Sequence, residues 1–490
     1  MRTQAYFVRC AILAIASTGA AQTFHPDIPR AWDDKEVDRL EVPLAQRDRS
    51  PRFLTAEQYY AQKVRPIYRT YPVYIAGREP AGYMEALRQK EPEIIFDASK
   101  LRTKEDWIRA GEAVFDASIP SRPIPPGHSG SERFPPGVAM PTTGDGAIPG
   151  FGYVVRQKGA VELGGISCAS CHTRALADGT FIKGAQGNYP ISQIEATNAR
   201  LGVGIFGFSV QNFEWFVTGA PWVMKREEFD ESFRVDEFAR RQGAMQPGVL
   251  ARQGTSSTHP SRIPSLIGLK DIRYLDSTGL VRHRSIGDLM RYVILNYALD
   301  LMAHFGDFQP SPTQAPFGED GTRFGDEQLY ALALYIYSLQ PPPNPNHFDD
   351  KARRGQLIFQ QQGCAGCHTP PLYTNNKLTP APGFKIPGDL RKSDDIMNVS
   401  VGTDPTLATQ TRRGTGFYKV PTLRGVWYRN AFGHNGQADT LEEWFDPARL
   451  RQDYVPAGFH LGPGPIKGHE FGLKLAPDDR QALIAFLKTL

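Results

Sequence analysis

The chain has 490 residues, 40% of them hydrophobic, which is length for two or three ordinary domains and apolar content for a sizeable core. Its formal net charge of +4 comes without a basic tract, so nothing reads as a nucleic-acid footprint and little is implied about partners. Five cysteines are present; four fall in two Cys-x-x-Cys-His motifs and the fifth is Cys10.

In chain order, residues 1–22 read as a secretory signal. Arg2 and Arg9 give a basic start, Ala11-Ile-Leu-Ala-Ile-Ala16 is a short apolar stretch, and Thr18-Gly-Ala20 or Gly19-Ala-Ala21 offers small residues for cleavage. The apolar run is too short to cross a bilayer, and no later segment reads as a membrane span. Residues 23–104 form a charged, Tyr-rich N-terminal extension with no assigned function. An internal repeat follows, with four landmarks in the same order in each copy. The first is Gly111-Glu-Ala-Val-Phe115 against Gly355-Gln-Leu-Ile-Phe359. The second is Cys168-Ala-Ser-Cys171-His172 against Cys364-Ala-Gly-Cys367-His368. The third is Ile263-Pro-Ser-Leu-Ile-Gly268 against Val420-Pro-Thr-Leu-Arg-Gly425, followed by Ser285-Ile-Gly-Asp-Leu289 against Thr440-Leu-Glu-Glu-Trp444. The fourth is a closing amphipathic helix, 326–339 against 477–490, with acidic residues near its start. Pro341-Pro-Pro-Asn-Pro-Asn346 reads as a stiff linker between the copies. The expected domains are therefore 105–340, a linker over 341–347, and 348–490. The first copy is longer. A Pro/Gly-rich stretch of about 50 residues separates Phe115 from Cys168, and an aromatic insertion carries Phe213, Trp215, Phe216 and Trp222.

Two thiols on one turn, followed at once by a histidine, suit covalent haem attachment. Both thiols add to the vinyl groups, and the histidine becomes the proximal iron ligand. Cys168, Cys171, Cys364 and Cys367 are thus attachment points, and His172 and His368 proximal ligands. A thioredoxin-like pair would need a βαβ context that is absent, and a zinc site four ligands per centre. Strand signals are sparse, so the expected fold is mainly α: two tandem cytochrome c-like modules with long Gly/Pro-rich loops and an N-terminal extension.

The sixth iron ligand separates electron transfer from chemistry at an open iron. Aligning Leu339 with Leu490 offsets the copies by 151 residues (490 minus 339) and sets His469 against Gly318. This predicts a six-coordinate second haem, His368/His469, and an open first haem on His172. His434 is the rival ligand, or a local brace of the pocket; Met397 is a third candidate. For the first haem, Met224, Met245, His259, His283, Met290, Met302 and His304 all lie in reach along the chain, though methionines at helical spacing are more often core.

These residues resemble the bacterial di-haem cytochrome c peroxidase superfamily over roughly residues 105 to 490. The carriers are Gly165-Ile-Ser-Cys-Ala-Ser-Cys-His172, the second Cys-x-x-Cys-His, Tyr418-Lys-Val-Pro-Thr-Leu-Arg-Gly425 with His434-Asn-Gly436, and Leu483-Ile-Ala-Phe-Leu-Lys-Thr-Leu490. The resemblance implies a periplasmic or secreted protein with two covalent haems c. A small redox partner, a cytochrome or cupredoxin, would reduce the C-terminal haem, and the N-terminal haem would reduce peroxide. It also allows a calcium ion between the modules, and an aromatic aiding electron passage, for which Tyr274 in Ile272-Arg-Tyr274-Leu-Asp276 holds the matching place. Two departures stand out. The family's axial methionine falls near His469, and its mobile distal histidine has no counterpart, because no histidine occurs between His172 and His259. Both features look more like the haem-containing rubber oxygenase branch, which uses dioxygen on an apolar substrate. A non-catalytic electron carrier is the reading from a different class.

Overall fold

The computed structural model describes residues 23–490 except 136, 206–207, 297–302, 312–321 and 393–394. Residues 1–22 with Cys10, and also Met302 and Gly318, lie outside the described residues. Helix α1 (Lys104–Asp116) opens the repeat and is started by a capping box, in which Thr103 and Asp106 satisfy each other's backbone N–H groups. The aromatic insertion folds as α2 (Ile191–Arg200), α3 (Val210–Thr218) and α4 (Val235–Gly243), packed through Ala196, Phe213, Phe216 and Phe238. Helix α5 (Asp326–Ser338) closes the first copy; α6 (Asp350–Gln361) opens the second and α7 (Pro477–Lys488) closes it.

The opening and closing helices cross in each copy. A side chain on Gly111 would run into Ala331 and the Tyr335 Cβ; one on Gly355 would run into Ala482 and the Phe486 Cβ. Only glycine permits so close an approach of two helix backbones. The contacted residues keep the offset of 151 (482 minus 331, 486 minus 335), so the alignment used to compare the copies matches their packing.

Helices outweigh strands, but the Pro/Gly-rich stretch expected as a loop contains a sheet. Strands β1 (Thr70–Tyr74), β2 (Ile119–Pro123), β3 (Ala147–Gln157) and β4 (Ala160–Ile166) are antiparallel in the order β1-β3-β4-β2. Tyr153, Val155, Val161 and Leu163 bury one face against Met84 and Leu87. The β3–β4 connection is the two-residue turn Lys158-Gly159, where Gly159 takes φ +87°. Periodicity alone missed the sheet because glycines interrupt its strands and β1 is supplied by the extension.

The extension is not a separate unit. Trp32, Leu40, Leu44, Tyr59 and Ile67 are buried in one cluster with Trp107, Phe115, Leu329 and Leu332 of α1 and α5. Its Ala45 N–H also donates to the Gly414 carbonyl of the second copy at 2.8 Å. The Pro-rich linker is anchored by Asn344, whose Nδ2 donates to the Lys488 carbonyl at 2.9 Å. Among the described residues, no helix is long and apolar enough to cross a membrane.

Candidate haem sites

The two Cys-x-x-Cys-His turns are positioned by different neighbours. The first is the one-turn helix Cys168–Cys171 directly after β4. Ser167 caps it: the Ser170 N–H donates to Ser167 Oγ at 3.0 Å, and the Ser167 N–H to Ser170 Oγ at 3.1 Å. Ser167 Oγ donates in turn to the Gly150 carbonyl of β3 at 2.9 Å, and a Cβ on Gly150 would lie 2.9 Å from the Ala169 backbone. The sheet is therefore the wall against which the first turn is set. The second turn, Cys364–Gly366, follows α6 through Gly363 in the left-handed region at φ +74°.

Each proximal histidine is oriented the same way. His172 Nδ1 is 3.1 Å from the Pro264 carbonyl; His368 Nδ1 is 3.1 Å from the carbonyls of Pro421 and Tyr373. A carbonyl only accepts, so Nδ1 carries the proton and Nε2 keeps its lone pair for a metal. Pro264 and Pro421 are the prolines of the third repeat landmark, which explains its recurrence. Burial pulls His172 down to about 4 and lowers His368, so both rings are neutral. Burial also raises the Cys168 thiol to about 12 and the Cys364 thiol to about 11, and among the described residues no cation offsets either shift. Among the described residues, no three His, Cys, Asp or Glu side chains converge as a metal-ion site would require.

A cavity of about 280 Å³ opens beside the second turn. Cys364, Cys367 and His368 line it together with His434, Trp444 and His469. His469 is half-buried, and its Nδ1, shielded from solvent, has no hydrogen-bond partner; its ring meets Trp444 edge-on at 5.6 Å. The backbone here is held by Arg449, whose guanidinium donates to the His469 carbonyl at 2.7 Å. Burial pulls His469 down to about 4, followed by the repulsion of His368 and Arg449. His434 is pulled down to about 3, again mainly by burial, but its charged neighbours are Asp404, His259 and Arg262. Its Nδ1 pairs with Thr403 Oγ1 at 2.9 Å, its ring lies 4.7 Å from that of Tyr418, and its Nε2 has no partner. His368 thus acts on His469 and does not figure among the groups acting on His434.

Among the cations lining the same cavity are Arg262, Lys419 and Arg429, half-buried side chains that the sequence motifs did not single out. Arg262 is pulled down to about 9 by burial and Arg429; Lys419 is pulled down to about 8 by burial, opposed by Asp276 and reinforced by both arginines; burial likewise lowers Arg429. No ion pair to any of the three is seen among the described residues. Asp276 is one carboxylate among several cations here, and a haem brings two propionates that would offset the excess. The residues present therefore fit the group: two thiols, a neutral histidine with free Nε2, an apolar lining and cations for its carboxylates. A sequence signal existed, since Arg262 and Lys419 each stand immediately before the Ile-Pro or Val-Pro pair of the third landmark.

Tyr274 does not line this cavity. Its hydroxyl donates to Asp395 at 3.1 Å, and it packs with Val42, Leu378 and Phe417. The other candidates near the first turn are engaged elsewhere. His283 uses both ring nitrogens, on the Ile272 carbonyl at 2.6 Å and the Tyr337 hydroxyl at 2.5 Å. His259 sits between Thr258 and Asp404, and the His304 backbone pairs with Arg52. Met290 is core, Met245 receives the Ser192 hydroxyl and Met224 is exposed. Met397 receives the Asn375 amide at 3.6 Å and does not line the cavity.

This donor set is the one that covalent haem attachment requires. No family model matches the chain. It is 27% identical over 188 residues to a cytochrome-c peroxidase of Pseudomonas sp. (strain SCT), a match covering 33% of this chain and 47% of the relative. The chain thus spans about half the length of that relative. Two solved structures are looser likenesses, each at 16% identity and a TM-score of 0.30. One is a hydrazine synthase of Kuenenia stuttgartiensis pressurized with xenon, over 57% of this chain and 86% of that one. The other is a MauG-like protein associated with microbial copper homeostasis, over 47% and 73%. Neither defines a shared fold.

Proposed function

We propose that this chain is an exported di-haem c-type oxidoreductase built of two tandem cytochrome c-like modules, 105–340 and 348–490. A haem held by these residues supplies one-electron redox chemistry at its iron and, where only one protein ligand is present, a place for peroxide or dioxygen. His368 and His469, which line one cavity, would hold a haem at the second site. His172 holds the first from one face, its Nε2 freed by the Nδ1 bond to Pro264. Arg262, Lys419 and Arg429 neutralise carboxylates between them. A small cytochrome or cupredoxin delivers electrons to the second site, and the first site passes them to hydrogen peroxide, which takes two electrons and two protons to give two waters. The observation that supports this reading is the asymmetry of the sites: His469 shares a cavity with His368, while the side chains of His259 and His283, two candidates for the first site, are turned to other partners. The partial likeness to a cytochrome-c peroxidase supports peroxide as the oxidant.

A second reading is oxygenase chemistry on an apolar substrate. It is favoured by the His/His pair on the second site and by the lack of any histidine between His172 and His259. Low-temperature EPR of the oxidised protein, CO binding to the reduced protein, and peroxide and oxygen consumption test both. One low-spin and one ligand-sensitive signal with peroxide turnover is the expected result. Oxygen uptake with an apolar substrate and no peroxide turnover selects the oxygenase. Two low-spin signals, no CO adduct and no turnover leave only an electron carrier.

A further inference from the structure

The candidate sixth ligand of the second haem stands on a segment without regular structure. Residues 451–476 form neither helix nor strand between the single turn Pro447–Leu450 and α7. An iron ligand on such a segment depends on neighbouring groups to fix its direction. Arg449, in that turn, is placed to do so. It is 0% exposed, and its Nε donates to the Trp444 carbonyl at 2.7 Å. One terminal nitrogen donates to the Ile466 carbonyl and the other to the His469 carbonyl, the latter at 2.7 Å. The Ile466 N–H donates back to the Arg449 carbonyl at 2.7 Å, so the strand of chain leading to His469 is clipped in both directions.

The same guanidinium lies over the Trp444 ring, 4.5 Å from its centre. That ring meets the His469 ring edge-on at 5.6 Å, and a Cβ on Gly468, where φ is +150°, would come within 2.8 Å of it. Gly468 therefore lets the backbone before His469 lie against the indole. Arg449 acts on His469 twice, directly on its backbone and through Trp444 on its ring. A planar guanidinium aims several donors at fixed angles and serves three carbonyls at once, which an ammonium on a flexible stem cannot. The repeat supports a shared purpose. Leu289 stands opposite Trp444; five residues on from each (294 minus 289, 449 minus 444), Ile294 stands opposite Arg449; and Gly318 stands opposite His469. The copy without the histidine also lacks the two side chains that hold it.

We propose that Arg449 is the positioning residue for the second haem's sixth ligand: it clamps Ile466–His469 to the Trp444 turn, so that the His469 ring stays in the cavity it shares with His368. Without the clamp the loop can carry the ring away and leave a coordination position open. The proposal rests on His469 as the ligand and is independent of what the first haem reacts with.

Low-temperature EPR of the oxidised holoprotein is the test, with R449K and R449Q beside H469G. Both Arg449 variants should lose most of the second haem's low-spin signal to a high-spin one. Added imidazole should restore it, because a free ligand needs no loop. A merely structural role would lower the melting midpoint and leave the spin state in place. W444L removes the ring and keeps the carbonyl bonds; it should shift the g values of the low-spin signal, which follow the orientation of the axial rings. Low-spin signals intact in R449K and R449Q, with the second haem attached, overturn the proposal. If neither variant takes up that haem, W444L decides, and unchanged g values refute the clamp. A low-spin signal that survives in H469G refutes the ligand and the clamp with it. One that is lost in H469G but kept in both Arg449 variants refutes the clamp alone.

Discussion

Two histidines face one cavity in the second half of the chain, and their neighbours separate them. His434 is braced by Thr403 and Tyr418, whereas His469 leaves Nδ1 without a partner and stands within electrostatic reach of His368. Replacing His469 with glycine should therefore turn one low-spin haem signal high-spin, while His434→Ala leaves the low-spin signals in place; the reverse pattern by EPR would make His434 the ligand. His434 also carries a pH signature. Its folded value near 3 lies below the ordinary histidine value of 6.5, so the unfolded chain binds the extra proton first. Its stabilising contribution is fully present above pH 6.5 and is lost as pH falls toward 3. Thermal melts of the holoprotein should show midpoints dropping through that window, and His434→Gln should make the drop shallower. At this scale the sequence was most readable where chemistry is local: the attachment turns are fixed by spacing, and His469 by the repeat. Arg262, Lys419 and Arg429 left a fainter trace, because cations far apart in the chain share a cavity only once it folds.

The crossing of α6 on α7 depends on one missing side chain. A Cβ on Gly355 would press on the Ala482 carbonyl and the Phe486 Cβ, both in helix interiors that cannot yield locally. Gly355→Ala should lower stability by about 1–3 kcal/mol, the usual range for overpacking. Gly388, with open space around it, serves as the control, and its alanine variant should stay within about 0.5 kcal/mol. Chemical denaturation read by the second haem's absorption distinguishes the two, and equal midpoints would remove the crossing from the account. The Gly-x-x-x-Phe landmark was visible as a repeat before its reason was. The sheet was not visible at all: Phe151–Val155 has the aromatic and β-branched residues of a strand, but its partner Thr70–Tyr74 lies in the extension, some 80 residues earlier, where no periodic signal pairs them. Local pattern reports helices well because their bonds are local, and it reports non-local strand pairs poorly.

The halves of the chain are tied together by buried contacts rather than by the linker alone. Arg413 of the second copy donates through Nε to Asp276 of the first at 2.7 Å, with the Arg413 side chain 1% and the Asp276 side chain 4% exposed. Beside it, Arg412 donates to the Phe216 and Gly219 carbonyls at 3.1 and 2.6 Å, at the C-terminal end of α3. The extension adds Val42, which packs with Leu378 and Phe417. Such contacts make the haem sites one mechanical unit, so a fault at the seam should register at both. Asp276→Ala removes the buried carboxylate to which Arg413 Nε donates. Removing one member of a buried pair typically costs about 3–5 kcal/mol, and the carbonyl and amide oxygens of Gln253 and Asn296 that Arg413 retains place this case at the lower end. The denaturation midpoint should therefore fall together at the first and second haem bands. A shift confined to the second haem would mean that the halves unfold independently, and that electron passage between them relies on a docked rather than a fused interface.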